Sequence, residues 1–181
     1  MLHLPDSTRI HANLARLTEY ARRNGIPVLA TSCAHTEEDA EEIARFGRHC
    51  MVGSPGQARI KATEWPGGEV IGSEDRFGGW TDAAPPAHLT LEKRAYDLFT
   101  HPEADRIVAA YQAANPTFVV YGVATDFCVR AAVLGLRARG CAVAVVVDAI
   151  HAIDVAHEIE VLDEFTAAGA VLTLTDVVCG R

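Results

Sequence analysis

An α/β fold, a parallel sheet flanked by helices on both faces, is what this sequence predicts, and three observations carry the prediction. Strand-length apolar runs alternate with helical patterns through the second half of the chain. The runs at 118–123 and 142–147 have no charged break, as strands covered on both faces require. The links between elements are short, so each strand returns parallel to the last by a right-handed helical crossover.

Each element has its own local reason. Ile10, Leu14, Leu17 and Tyr20 or Ala21 recur every three or four residues, which is the spacing of one helix face. Ser7 stands where an N-cap is wanted and Asn24-Gly25 where a stop is wanted. A short strand is expected at 27–31, and a charged helix at 37–45. Residues 47–90 are rich in Gly and Pro, with strand-like pieces only at 69–72 and 88–91. An irregular stretch of that length inside a compact domain reads as functional loops. Beyond it come an amphipathic helix at 102–114, the strand at 118–123, and a helix at 126–139 stopped by Gly140. A strand at 142–147, a helix at 155–168 stopped by Gly169, and a strand at 170–174 complete the pattern. No internal repeat, linker or low-complexity tract interrupts it, so residues 1–181 read as one domain.

Composition narrows the function. The chain is 49% hydrophobic and 22% charged, which is ordinary for a globular protein and excludes disordered and fibrous classes. Its formal net charge of -8, with no basic stripe, argues against nucleic acid and anionic membrane surfaces as partners. No apolar run approaches the roughly 20 residues that span a bilayer. The N-terminus has neither the charged nor the apolar region of a signal peptide. Five cysteines, an odd number without a CxxC pair, suit a reducing compartment, and the cytoplasm is the expected location.

Ligands of open parallel sheets bind beyond the carboxyl ends of the strands. Three such ends carry reactive side chains: Cys33 and His35 in the first, Lys93 in the second, and the stretch 122–128 with Cys128 in the third. Cys128 falls in the first turn of the helix expected from Asp126. There the helix dipole and free N–H groups lower a thiol pKa and can receive an oxyanion. A buried structural cysteine and an activated nucleophile both fit that local pattern. Lys93 is either a solvated edge charge or the cation that favours a thiolate. His35 and His49 are candidate metal ligands or hydrogen-bonded surface histidines.

The stretch from Tyr121 through Gly122, Val123, Ala124, Thr125, Asp126, Phe127 and Cys128 to Val129 closely resembles the nucleophile motif of the isochorismatase-like cysteine hydrolases, in particular the nicotinamidase-related group. The run Val28-Leu29-Ala30-Thr31 with His35 looks like the strand leading to that family's metal histidine. His49-Cys50-Met51-Val52-Gly53-Ser54-Pro55-Gly56 is similar to its His-Cys-x-x-Gly-Thr-Pro-Gly segment. Lys93, ahead of Tyr96 and Phe99, falls where the family has its catalytic lysine, and Asp148-Ala149 matches an acidic residue after the next strand. The resemblance covers almost the whole chain and implies a Rossmann-like three-layer fold. It also implies that Cys128 attacks an amide carbonyl to form a thioester. Lys93 then stabilises the thiolate, the N–H groups of Ala124 and Cys128 form the oxyanion hole, and the Val123–Ala124 peptide is cis.

Two departures from the family pattern stand out. The family's third catalytic residue is an aspartate ending its first strand, yet no buried apolar strand precedes Ser7, and Asp6 sits at the mouth of the first helix. The first strand and its aspartate are therefore expected to be missing from residues 1–181. The physiological protein is expected to carry them in an N-terminal extension, and turnover without it is expected to be low. The second departure is Cys33, where metal-binding nicotinamidases have an aspartate. Cys33, His35 and His49 could still hold zinc, but a lost site with weak metal dependence is the expectation, and no cofactor is required for the chemistry.

The resemblance thus implies a thiol-dependent amidohydrolase acting on a small amide, nicotinamide-like or carbamoyl-like, with its pocket built from 47–90 and a partner subunit in a homo-oligomer. Two alternatives stay open. One is a catalytically inactive binding relative that lacks the aspartate. The other is an isochorismatase-type hydrolase of an enol ether, whose chemistry has no use for Cys128.

Overall fold

The computed structural model describes residue 4 and residues 6–76, 78–79 and 85–180. Of the N-terminal segment that bears on the missing-strand expectation, residues 1–3 and 5 lie outside these. Six strands form two parallel three-stranded sheets. In the first, β1 (Val28–Cys33) and β2 (Glu69–Ile71) flank β3 (His88–Lys93). In the second, β4 (Thr117–Val123) and β6 (Val171–Thr173) flank β5 (Ala142–His151). Helices α1 (His11–Arg23), α2 (Ala40–Phe46), α3 (Ala104–Gln112), α4 (Arg130–Ala138), α5 (Glu158–Ala167) and α6 (Thr175–Cys179) complete the fold. This is the predicted α/β class, with the sheet divided in two. None of the described helices is long and apolar enough to cross a membrane.

β5 shows why its sequence is apolar throughout. Val143 and Val145 face the cluster made with Val133 and Leu136 of α4, Val161 and Phe165 of α5, and Val108 of α3. Val146 and Ala149 face Ile10, Leu14 and Leu17 on the other side. Alternate side chains point to opposite faces, so a strand covered twice needs apolar residues at every position. In the first sheet Leu89 and Leu91 of β3 pack on Leu98, Ala104, Ile107 and Tyr111. Leu29 of β1 and Phe118 of β4 touch both of these clusters, and so tie the two sheets together.

The central strands are the buried ones. β3 and β5 are buried along most of their length, whereas β1 and β4 are half-exposed, with Val119 at 39% and Val123 at 42%. β1 and β4 each pair with one strand only among the described residues, so each presents an open edge.

Several local expectations shift. Ser7 is not an N-cap. It opens a 3-10 turn, Ser7–Ile10, capped by Asp6 in the left-handed region at φ 55 with no side-chain bond, and α1 follows from His11. The expected helix at 126–139 begins as a π-helical turn, Thr125–Val129, before α4. Lys93 does not follow a strand as a solvated charge. It is the last residue of β3 and only 2% exposed. Asp148 lies within β5, not after it, because that strand runs four residues further than the apolar run alone suggests.

Candidate functional site

β1 and β3 run side by side in register, and their last residues, Cys33 and Lys93, are partners across the pair. The register therefore brings together two side chains that are 60 residues apart. Cys128 reaches the same place from the other sheet, in the π-helical turn after β4. Lys93 Nζ donates to Cys33 Sγ at 3.1 Å, to the Ala95 carbonyl at 2.9 Å, and to Cys128 Sγ at 3.5 Å. A buried ammonium without a counter-charge is costly, so the sulfurs that face it are pressed to carry negative charge.

The two thiols share that charge. The Cys128 thiol hydrogen-bonds Cys33, and this bond, helped by the Lys93 charge and opposed by burial, pushes Cys33 down to about 6. Cys128 is raised, because it keeps the proton it shares with Cys33 and because it is buried. Burial would lower the Lys93 ammonium, but the Cys128 and Cys33 sulfurs outweigh it and the group is raised. The arrangement is one ammonium facing a thiol–thiolate pair that holds one proton between two sulfurs, and its ionisation belongs to the pair. Sequence reasoning placed the thiolate on Cys128 alone. In this geometry Cys33 is its partner. Cys50, Cys141 and Cys179 are all raised by burial.

The peptide between Val123 and Ala124 is cis. It turns the chain from β4 into the π-helical turn, where the Ala124 carbonyl accepts from the N–H groups of Phe127 and Val129. Two acids beside the thiol motif are occupied elsewhere. Asp126 accepts from the N–H groups of Ile153 and Asp154. Asp148 accepts from the Thr175 N–H and hydroxyl and from Asn13 Nδ2. Both hold loops and helix starts together, and neither touches a thiol among these bonds.

The histidines form a second cluster. The backbone of His35 pairs with the segment 50–52, so the ring of His49 lies tilted against that of His35, centroids 4.5 Å apart. His49 Nδ1 lies 2.8 Å from the Gly47 carbonyl, which leaves Nε2 free. His35 is fully buried, and neither of its ring nitrogens has a hydrogen-bond partner among the described residues. Glu42 of α2 completes the group: a donor atom from each of His35, Glu42 and His49 lies within 4.8 Å of the others. Cys33 does not join them, because its sulfur is turned to Lys93. Glu42 was not anticipated from the sequence, where it reads as one of several solvated acids on a charged helix.

An aromatic wall stands over both clusters. Phe46 contacts His49 at 5.7 Å and Phe127 at 4.9 Å, and Tyr96 contacts Phe127 at 5.9 Å. A cleft of about 430 Å³, lined by Ser73, Arg76, Lys93, Arg94 and His101, meets the thiol site at Lys93.

Comparison with known proteins decides the family. The isochorismatase domain model matches residues 1–177. The chain belongs to the isochorismatase domain family. Among solved structures, it is 28% identical to an N-carbamoylsarcosine amidase from Thermoplasma acidophilum, with a TM-score of 0.72 over 97% of this chain and 88% of that one. It is 20% identical to a zinc complex of a pyrazinamidase from Pyrococcus horikoshii, TM-score 0.72, over 94% and 88% of the two chains. It is also 20% identical to a pyrazinamidase/nicotinamidase from Streptococcus mutans, TM-score 0.72, over 93% and 87%. The two more distant likenesses speak to fold alone. A search of curated proteins matched none. Isochorismatase-like architecture thus accounts for both the three-layer arrangement and the placement of the reactive groups at strand ends.

Proposed function

We propose that this chain hydrolyses small amides, nicotinamide-like or carbamoyl-like, through a thioester on Cys128. The observation that carries the reading is the buried Lys93 ammonium set against the paired sulfurs of Cys33 and Cys128. The likeness to an N-carbamoylsarcosine amidase supports the same reaction class.

The steps follow from the geometry. The Cys33 thiolate takes the Cys128 proton, and Cys128 Sγ attacks the amide carbonyl. The N–H groups of Ala124 and Cys128 receive the developing oxyanion. The proton on Cys33 passes to the leaving nitrogen, and the tetrahedral oxyanion collapses with cleavage of the C–N bond, which releases ammonia and leaves the thioester on Cys128. Water then attacks the thioester and gives its proton to Cys33. The acid is released, and the pair returns to one shared proton. Lys93 keeps the negative charge in place throughout, since burial would otherwise favour two neutral thiols. Cys33 thus does the proton work that the family assigns to an aspartate.

Two imidazoles and a carboxylate fit a divalent cation such as zinc with an open coordination position, and the ring nitrogens of the buried His35, which make no hydrogen bond although Nδ1 lies 3.8 Å from the Asp39 carboxylate, support that fit. A cation held by His35, Glu42 and His49 would supply Lewis-acid orientation of substrate or water beside the thiols. Phe46 meets the His49 ring edge to face beside that group.

An ammonia-release screen over small amides tests the reading. Turnover of at least one amide, lost in Cys128→Ala, is expected. Full turnover by Cys128→Ala, or no amide turned over, would overturn it.

A further inference from the structure

The aromatic wall holds a cation of its own. The guanidinium carbon of Arg45, in the last turn of α2, lies 5.1 Å from the ring centre of Phe46, 5.1 Å from that of Phe127 and 5.8 Å from that of Tyr96. The three rings come from α2, from the loop after β3, and from the π-helical turn that carries Cys128. A surface arginine at a helix end needs no such clamp. Charge at the C-terminus of α2 accounts for a cation there but not for three rings converging on it.

The clamp occupies the guanidinium faces and leaves its edges unused. Arg45 makes no hydrogen bond or ion pair with any described residue, although Glu41 and Glu42 lie four and three positions behind it on the same helix. Every other exposed arginine that the ring contacts involve also has a polar partner: Arg22 bonds Glu19 and Arg139 bonds Asp105. Arginine presents five N–H donors in a planar fork that matches a carboxylate with two parallel bonds. Here that fork lies against three rings, uses none of its N–H groups on the described residues, and packs on Phe127, the residue before Cys128 in the π-helical turn.

We propose that Arg45 is a specificity residue of the amide site and binds the carboxylate of the substrate, so that the preferred substrate is an amide or carbamoyl compound that is also a carboxylic acid. The inference rests on the amide-hydrolase reading for its substrate but not for its test. A carboxylate entering the site meets a preorganised donor fork whose side-chain entropy is already lost to the aromatic clamp, so less is spent on binding it. The same fork offers nothing to a neutral amide.

The test compares iodoacetate with iodoacetamide, reagents of nearly the same size that differ by one negative charge. The ratio of their rates of alkylation at the Cys33–Cys128 pair is measured in the wild type, in Arg45→Gln and in Arg45→Lys, at low salt and with the alkylated residue mapped. The ratio is expected to fall about tenfold in Arg45→Gln, the low end of what a charge-assisted bond contributes at an exposed site, and by less in Arg45→Lys. A ratio unchanged within twofold overturns the proposal. Succinamate and its neutral methyl ester provide the matching pair of amides, and their kcat/KM ratio should fall with the alkylation ratio. If neither is hydrolysed, the amide-hydrolase reading fails on that count, while the alkylation ratio still decides the role of Arg45.

Discussion

Lys93→Met is the sharpest test of the thiol pair. The substitution keeps the length and apolar stem of the side chain and deletes an ammonium that is 2% exposed and within 3.5 Å of both sulfurs. The Cys33–Cys128 pair loses its proton with a midpoint of about 6, against 9.0 for an ordinary thiol. Three units correspond to about 4 kcal/mol of preference for the charged form. The hydrogen bond from Cys128 is the largest cause of that preference, and Lys93 comes next among the groups that lower Cys33. Methionine should therefore move the midpoint for iodoacetamide labelling upward from about 6 toward the ordinary 9.0. At pH 6 the rate should fall by about fivefold or more, and at pH 9.5 it should rise about threefold, because a more basic thiolate is the better nucleophile.

Stability must follow with a definite sign. A thiol whose folded pKa is depressed adds stability that is complete above its unfolded value near 9 and is lost as pH falls through 6. The raised Lys93 adds stability that is present below its unfolded value near 10.5 and is lost above it. The ion pair is therefore at full strength between about pH 9 and 10.5 and absent below pH 6. Lys93→Met should cost most near pH 9. At pH 5, where the native ammonium is buried without an anion, it should cost little or even stabilise. Thermal melts of the chelator-treated protein at pH 5, 7 and 9 check this. A stability loss that is independent of pH, or a labelling midpoint near 9 in the wild type, would refute the reasoning.

Other expectations are simpler. Chelator-stripped protein should take up one zinc per chain with a rise in Tm, and His35→Ala or Glu42→Gln should abolish both, as elemental analysis and calorimetry would show; unchanged uptake would remove these residues as ligands. Gly135→Ala should destabilise despite the ~1 kcal/mol gain in helix propensity, because a Cβ there would overlap the Phe99 ring and overpacking costs about 1–3 kcal/mol. A higher denaturant midpoint would contradict that contact. Asp148→Ala should cost about 1–3 kcal/mol by stranding the Thr175 N–H and Asn13 amide, while the pH midpoint of thiol labelling stays in place; a shifted midpoint would mean that Asp148 acts on the thiols.

Much of the architecture is legible in the chain because its signals are local. Gly140 and Gly169 end helices wherever the fold puts them, and an apolar run such as 142–147 can only be a covered strand. Pairing is not local. Nothing in the run 28–33 reveals that Cys33 ends level with Lys93, since that depends on register between strands 60 residues apart. The same limit hid the thiol pair: Cys33 reads as an altered metal ligand when taken next to His35 in sequence, and as a proton partner once β3 lies beside it. Glu42 and Arg45 were hidden for another reason. On a seven-residue helix with three exposed or half-exposed charges and no buried residue, a ligand and a specificity residue look like ordinary solvated side chains. The nucleophile segment was readable because its residue order, from Gly122 to Cys128, is itself the device.

The seam between the two sheets runs through the chemistry. Cys33 and Lys93 belong to one sheet and Cys128 to the other, and the sheets meet in the core through Leu29 and Phe118. Proteins open in cooperative units whose free energies differ, and a boundary with few bridging side chains is where such units part. A slight parting of the halves would carry Cys128 away from the ammonium while leaving every helix and every strand ladder intact. Thiol reactivity would then change on warming before circular dichroism does, at a temperature set by the contacts of Leu29, Phe99 and Phe118 across the seam.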